Sequence, residues 1–316
     1  MSFDKSKISI KEAAKILKSI YNLDGEISLL DGEIDFNFKV VLNNSKKYLL
    51  KISRSSFEQE YIDYQVLLLE HLNKNSKIEL PKLVLSTDNK KSSIIQDVHG
   101  YDRSVRLMSW IDGRLWSSVN PITKSLRYEL GYLCSELSKS LQNFKHPYAD
   151  KEIEWDVAKS LWVESYLDKF DFEKIKILKK FIKNFKDNLH LYQKLEKSII
   201  HNDINDNNII VSNDFLNPTV KSVIDFGDAV FSQTINDLAI TCSYGIMNLN
   251  DPLSGCIDIL KGYNQNRKVK DNELKLLYNL IAMRLVVSVT KSFINKYKEP
   301  DNKYLLISEK SAWNLL

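Results

Sequence analysis

Cysteine is scarce in this sequence, with Cys134, Cys242 and Cys256 the only three in 316 residues and no C-x-x-C spacing among them. An odd, scattered set excludes a disulfide framework and a thiolate metal knuckle, and it predicts reduced core thiols in a cytoplasmic protein. Long apolar runs are missing too. No stretch approaches about 18 uncharged apolar residues, and none follows the N-terminal residues 1–7, so neither a membrane span nor a secretory leader is expected. An excess of one charge is also lacking: 45 basic residues stand against 41 acidic ones. That balance argues against a nucleic-acid partner, and lysine runs such as residues 173–180 read as a solvated helix face. No internal repeat or low-complexity linker appears, and no G-x-G-x-x-G loop is present. The composition that remains, 43% hydrophobic and 27% charged, is that of a globular protein with no nucleic-acid or membrane partner; its oligomeric state is not legible.

The informative material lies at residues 198–211 and 222–229. Ile199-Ile200, Ile209-Ile210-Val211 and Val223-Ile224 are β-branched pairs and runs that favour short buried strands. Between them sit Asp and Asn residues, which hydrogen-bond their own backbone and resist regular structure. This arrangement predicts His201, Asp203, Asn208 and Asp225 at strand ends above an apolar floor. Two carboxylates and a carboxamide aimed together without a nearby lysine or arginine repel one another unless a hard cation sits among them, and an all-oxygen ligand set points to Mg2+, which shares its remaining sites with waters and substrate phosphates.

His201-x-Asp203-x4-Asn208, followed by Ile224-Asp225-Phe226-Gly227-Asp228, resembles the catalytic and metal-binding loops of the aminoglycoside phosphotransferase and choline kinase-like superfamily. The likeness covers nearly the whole chain. Residues 105–113, 128–147, 200–209 and 223–228 resemble the hydroxylysine kinase group in particular. The resemblance implies an α+β, bilobal protein kinase-like fold: a small antiparallel β-rich N-lobe over residues 1–112, and a large mainly helical C-lobe over 113–316.

The pattern along the chain agrees with that division. Ser9 and Glu12 form a capping box before Ala13, Leu17, Ile20 and Tyr21 at helical spacing, and Asp24-Gly25 is expected to end that helix. Strands are expected at 27–30, 36–42 and 48–52, with a hairpin turn at 43–45. A helix follows at 57–73, then strands at 92–98 and 104–111, with a hinge at 108–113. Beyond it the period is helical: 125–144, a charged stretch at 155–195, 272–297 and 304–316. His146 reads as a capping or surface residue before Pro147.

Lys51 interrupts an apolar strand; alternation alone permits a solvent-facing lysine, whereas the resemblance makes it the residue that holds the α- and β-phosphates of ATP or GTP. Gln65 falls where the superfamily places the glutamate that holds this lysine, with Glu58 and Glu60 as possible substitutes. Gly32 and Asn37 occupy the place of the phosphate-covering loop, and Trp110 packs on the purine or in the core. The resemblance further implies that Asp203 orients and deprotonates the attacking hydroxyl, His201 buttresses the loop, and Asn208 and Asp225 bind Mg2+. Asp206 and Asp228 are candidates for an ammonium group of the acceptor. Arg284, alone in an apolar helix, either bridges a structural carboxylate or meets an acceptor carboxylate. Asp237 either braces the catalytic loop or sits in a first helical turn.

The function so implied is transfer of a γ-phosphoryl group to the hydroxyl of a small, amine-bearing alcohol or amino acid. Aminoglycoside, homoserine, choline and ethanolamine kinases are the alternatives within the superfamily. A catalytically inactive nucleotide-binding module is the alternative from another class. A protein kinase is disfavoured by Asn202 after the histidine and by the absence of Ala-Pro-Glu beyond Asp225.

Overall fold

The computed structural model describes residues 7–32, 35–298 and 309–316. The chain divides into two compact units, one of residues 1–74 and 80–111, the other of 75–79 and 112–316.

The first unit is an antiparallel sheet with a helix on one face. Helix α1 (Ile10–Tyr21) starts as its capping box predicts, Ser9 Oγ accepting from the Glu12 N–H at 3.2 Å. It stops earlier than Asp24-Gly25: Asn22 takes a left-handed φ of 50° and donates its N–H to the Lys18 carbonyl. Gly25 instead begins strand β1 (Gly25–Leu30), where a Cβ would crowd the Val41 carbonyl. Strands β2 (Phe36–Leu42) and β3 (Lys47–Ile52) follow, then helix α2 (Gln59–Asn75). Strands β4 (Leu83–Val84), β5 (Ser93–Gln96) and β6 (Asp102–Ser109) complete the sheet, in the order β1-β2-β3-β6-β4 with β5 also on β6. Phe38, Val40, Leu50, Ile52, Val105 and Leu107 turn to the α1 face and bury with Ala13, Leu17 and Ile20. Each large side chain so buried contributes about 1.5–3 kcal/mol. Strand alternation sends Asn37, Lys51 and Arg106, which are register partners in adjacent strands, to the opposite face.

The second unit is mainly helical. Strand β7 (Arg114–Leu115) leads to α3 (Lys124–Leu141), capped by Thr123, which accepts from the Leu126 N–H at 3.2 Å. The charged stretch expected to be helical over 155–195 is so in three separate segments. It forms a 3-10 segment at Val157–Lys169, then α4 (Phe172–Asp187) and α5 (Leu189–Tyr192). Asp171 starts α4 afresh by accepting from the Lys174 N–H at 2.9 Å, a local cap that outweighs the continuing apolar period. His146 caps a 3-10 turn through its ring Nδ1, which accepts from the Tyr148 N–H.

Four short strands then carry the loops of interest: β8 (Lys197–Ile200), β9 (Ile209–Val211), β10 (Val220–Val223) and β11 (Val230–Gln233). They pair as two antiparallel ribbons, β8 with β11 and β9 with β10, while β7 adds to β9. Helices α6 (Ile235–Gly245), α7 (Pro252–Tyr263), α8 (Asp271–Lys298) and α9 (Glu309–Leu315) follow; the start of the predicted 304–316 helix lies outside the described residues. Helices α3 and α7 cross closely, since a Cβ on Gly131 would strike the Ile259 carbonyl and one on Gly262 the Tyr128 carbonyl. Helix α8 is long and apolar enough to cross a membrane by length and composition, and 78% of its apolar window is buried within the protein. The absence of such a stretch therefore holds only for uncharged runs; Arg284 sits within this helix.

Candidate active site

The strand pairings set the second unit's site. Ile200 is opposite Val230, and Ile209 is opposite Val223. The loop 201–208 therefore leaves one ribbon and enters the other, and the loop 224–229 makes the reverse passage. The backbone locks the two together where the Ile224 N–H donates to the Asn208 carbonyl at 2.8 Å.

His201 ties the same loops through its ring. Nδ1 accepts from the Asp203 N–H at 3.2 Å, and Nε2 lies 3.2 Å from the Ile224 carbonyl. These two bonds are satisfied together by the neutral tautomer with its proton on Nε2. The imidazole is fully buried and tilted against Phe226, ring centroids 4.6 Å apart. Below it, the Asp237 carboxylate takes the N–H groups of His201 and Asn202 at 2.9 and 2.8 Å. Both readings open for Asp237 hold: it sits in the first turn of α6, and from there it braces the loop. Burial pushes its carboxyl above the usual range, with those two N–H donors opposing.

Asp203 is held from several sides. Its Oδ1 accepts from Arg284 at 2.7 Å and from Asn205 at 2.9 Å; its Oδ2 accepts from Asn208 at 2.8 Å and Asn205 at 2.9 Å. The Asn208 amide nitrogen is thus committed to Asp203, leaving its carbonyl oxygen as the atom suited to a hard cation. Asp225 lies beyond, at a φ of 63°, its carboxylate accepting from the Gly227 N–H at 3.3 Å. Asn202 has a φ of 65°. Left-handed backbone at both loops costs about 1–2 kcal/mol per residue, a cost that tolerant Asn and Asp keep low. Among the described residues no three His, Cys, Asp or Glu side chains gather as a metal cage; the Asp225 carboxylate and the Asn208 carbonyl oxygen are each a hard oxygen donor of the kind magnesium accepts.

Two further carboxylates adjoin. Asp206 is pushed up to about 6, by burial first and then by Asp203, and its Oδ1 is sealed from solvent with no hydrogen-bond partner among the described residues. Asp228 is pushed up to about 7 by burial, then by the charges of Asp203 and Asp225, against the pull of Lys151 and Arg284. Arg284 is 1% exposed, and besides Asp203 it donates to the Trp155 carbonyl at 2.9 Å and the Asn202 carbonyl at 3.4 Å. Its guanidinium also lies over the rings of Trp155 and Tyr244, 4.7 and 5.5 Å from their centroids. The carboxylate partner left open for this arginine is therefore Asp203, and its neighbours are protein groups.

The first unit holds the other expected residues. Lys51 is 8% exposed, so the solvent-facing alternative for it does not hold, and its Nζ lies 3.5 Å from Asp35 Oδ2. Gln65 does not meet the lysine as expected; its Oε1 accepts from Arg106 Nη1 in a short contact, and Arg106 Nη2 reaches the same Asp35 oxygen at 3.0 Å. The reason is register: Arg106 faces Lys51 across β3 and β6, so its longer fork reaches α2. Glu58 and Glu60 are exposed. Gly32 abuts Asn37, whose side chain a Cβ there would strike, and residues 33–34 of that turn lie outside the described residues. Trp110 is half-buried with Lys39 Nζ 5.0 Å over its ring. Asp35, Arg106 and Asn205 are not foreseen; Arg106, set inside the apolar run 105–108 opposite Lys51, is the available signal for one of them.

Comparison with known proteins agrees with this geometry. The phosphotransferase enzyme family matches residues 26–255. Hydroxylysine kinase of Mus musculus is 25% identical over 330 residues, covering 96% of this chain and 87% of its own length. That of Xenopus laevis is 24% identical over 341 residues, covering 99% and 90%. Among solved structures, a microcompartment-associated aminopropanol kinase superposes with a TM-score of 0.75 at 16% identity, over 96% of this chain and 95% of its own. An amicoumacin kinase bound to AMP-PNP and Ca2+ gives 0.71 at 17% identity, over 97% and 94%. The bilobal kinase-like α+β fold expected from the motifs is thus the observed one. With a matched span of this extent, the chain belongs to the phosphotransferase enzyme family and is a small-molecule kinase that phosphorylates a hydroxyl group.

Proposed function

We propose that this enzyme transfers the γ-phosphoryl group of ATP or GTP to the hydroxyl of a small amino alcohol or hydroxylated amino acid, in the manner of a hydroxylysine kinase. The observation that carries the acceptor class is the acidic surround of Asp203: Asp206, with a buried orphan carboxylate oxygen, and Asp228, its carboxyl raised by burial and then by its acidic neighbours. An ammonium group would satisfy the first and restore the charged form of the second. The hydroxylysine kinase relatives and the aminopropanol kinase act, by their names, on molecules of this kind.

In this reading Asp203 accepts a hydrogen bond from the acceptor hydroxyl and takes its proton as the O–P bond forms and the β–γ bridging bond breaks, releasing the nucleoside diphosphate. Asn205, a shared donor to both Asp203 oxygens, is the group that can yield to the incoming hydroxyl. Arg284, Asn208 and His201 fix the carboxylate's position, and Lys51 holds the donor's phosphates. Asn208 and Asp225 would hold magnesium, whose charge offsets that developing on the transferred group. Because the transition state is loose, alignment and charge neutralisation outweigh activation of the nucleophile. The three cysteines are free and buried, which supports a reducing, cytoplasmic setting.

The test is a coupled nucleotide-consumption screen over hydroxylysine, aminopropanol, ethanolamine, choline, homoserine and aminoglycosides, with both donors, with and without EDTA. Magnesium-dependent turnover on an amine-bearing alcohol is expected. Nucleotide binding without turnover on any acceptor would instead leave an inactive nucleotide-binding module.

A further inference from the structure

We propose that Asp35 and Arg106 are positioning residues for Lys51, joined in the order Gln65, Arg106, Asp35, Lys51. This rests on Lys51 holding the donor's phosphates. The four residues come from different parts of the first unit: Gln65 from α2, Arg106 from β6, Asp35 from the entry to β2, and Lys51 from β3. All four are at least nine-tenths buried. Arg106 Nη1 takes the Gln65 carbonyl oxygen, Arg106 Nη2 lies 3.0 Å from Asp35 Oδ2, and that same oxygen is 3.5 Å from Lys51 Nζ.

The residue types suit this order. A lysine ammonium is a point charge on a flexible stem, so it needs a fixed anion to stay aimed at a phosphate. Asp35 is such an anion only if its own carboxylate is held. A planar guanidinium can engage two acceptors at once, here Asp35 on one branch and Gln65 on the other, and a lysine at 106 could not bridge both. Gln65 is the neutral end of the chain. A carboxylate there would compete with Asp35 for the guanidinium, whereas the amide oxygen anchors Arg106 and leaves its charge facing Asp35. The lysine is thus tied to α2 through an arginine and an aspartate rather than by an acid of α2 at position 65.

The test measures ADP affinity in magnesium by titration calorimetry, with Tm as the control on folding. Asp35→Asn and Arg106→Met should each weaken ADP binding by about 10–100-fold, the scale of a misplaced binding group, while Asp35→Glu stays within a few-fold of wild type. Adding Gln65→Glu to Asp35→Asn should not recover the loss, because Lys51 still lacks its anion, whereas Asp35→Glu restores that anion; a merely structural role predicts no such dependence of affinity on the charge at position 35. If Asp35→Asn binds ADP as tightly as wild type while Lys51→Met does not, the inference is wrong and the role of Lys51 stands. If Lys51→Met also binds normally, the phosphate role of Lys51 fails and the inference with it. Should Asp35→Asn and Arg106→Met not fold, Arg106→Lys decides: weakened ADP binding supports the chain, and wild-type affinity overturns it.

Discussion

Arg284 Nη2 lies 2.7 Å from Asp203 Oδ1, joining helix α8 to the catalytic loop across 81 residues of sequence. The guanidinium is buried, stacked beside Trp155 and Tyr244, and anchored to two main-chain carbonyls. A cation so held stabilises the Asp203 carboxylate in one orientation, and it is not placed to swing toward a substrate.

Replacing it therefore separates two roles. Arg284→Met should lower kcat by about 100-fold, since a 1 Å misplacement of a reacting group costs that much, with the acceptor KM changed little. Removal also leaves Asp203 without its partner in a partly buried site, a change of about 3–5 kcal/mol for buried pairs, so Tm should fall. Arg284→Lys should be intermediate, because one ammonium cannot serve Asp203 and both carbonyls. Steady-state kinetics on the acceptor found by screening check this; a large rise in acceptor KM with kcat intact would return Arg284 to carboxylate recognition.

A comparison of two aspartates tests the division of labour at the phosphoryl group. Asp225→Ala is expected to be at least as damaging to kcat as Asp203→Ala, because charge neutralisation matters more than proton removal in a loose transition state. General-base loss costs roughly 10²–10⁴-fold. Near-normal magnesium-dependent turnover by Asp225→Ala would remove it from the metal site.

These residues differ in how far the sequence disclosed them. The loop residues His201, Asp203, Asn208 and Asp225 were legible because their chemistry is packed into two short stretches bounded by β-branched strands. Arg284 stood out as a lone cation in an apolar helix, but its partner was hidden by distance along the chain. Arg106 leaves a trace as a charge inside an apolar run, but its pairing with Asp35 is not legible, because it depends on the register of β3 against β6 and on the reach of one side chain to α2. The break at Asp171 has the opposite reason: its signal is purely local, an aspartate cap inside a stretch that otherwise reads as helical.

The loop brace gives a third expectation. Asp237 satisfies two consecutive backbone N–H groups at the start of the catalytic loop and is fully buried. Asp237→Ala leaves both donors unpaired at about 1–3 kcal/mol each, so a lower Tm and a fall in kcat should occur together. Asp237→Asn can accept only one of the two bonds through its single carbonyl oxygen without strain, and should lie between. Retained Tm with wild-type kcat in Asp237→Ala would show the loop is held by other means.

The raised carboxyls fix the sign of a pH effect. Burial, with the charges of neighbouring aspartates, pushes Asp206 up to about 6 and Asp228 up to about 7, above the ordinary aspartate value. The folded state therefore binds their protons more tightly, and the stability this contributes is full below about pH 4 and lost as pH rises through 6 and then 7. In the ligand-free protein, Asp206→Asn and Asp228→Asn should each raise Tm at pH 8 and leave it nearly unchanged at pH 4. An ammonium-bearing acceptor reverses the preference, because it favours the charged carboxylates; its kcat/KM should fall as pH drops below about 7, and Asp228→Asn should flatten that limb while raising the acceptor KM. Equal Tm gains at both pH values would mean that the substitutions act through packing, and an unchanged acceptor profile in Asp228→Asn would place the ammonium elsewhere.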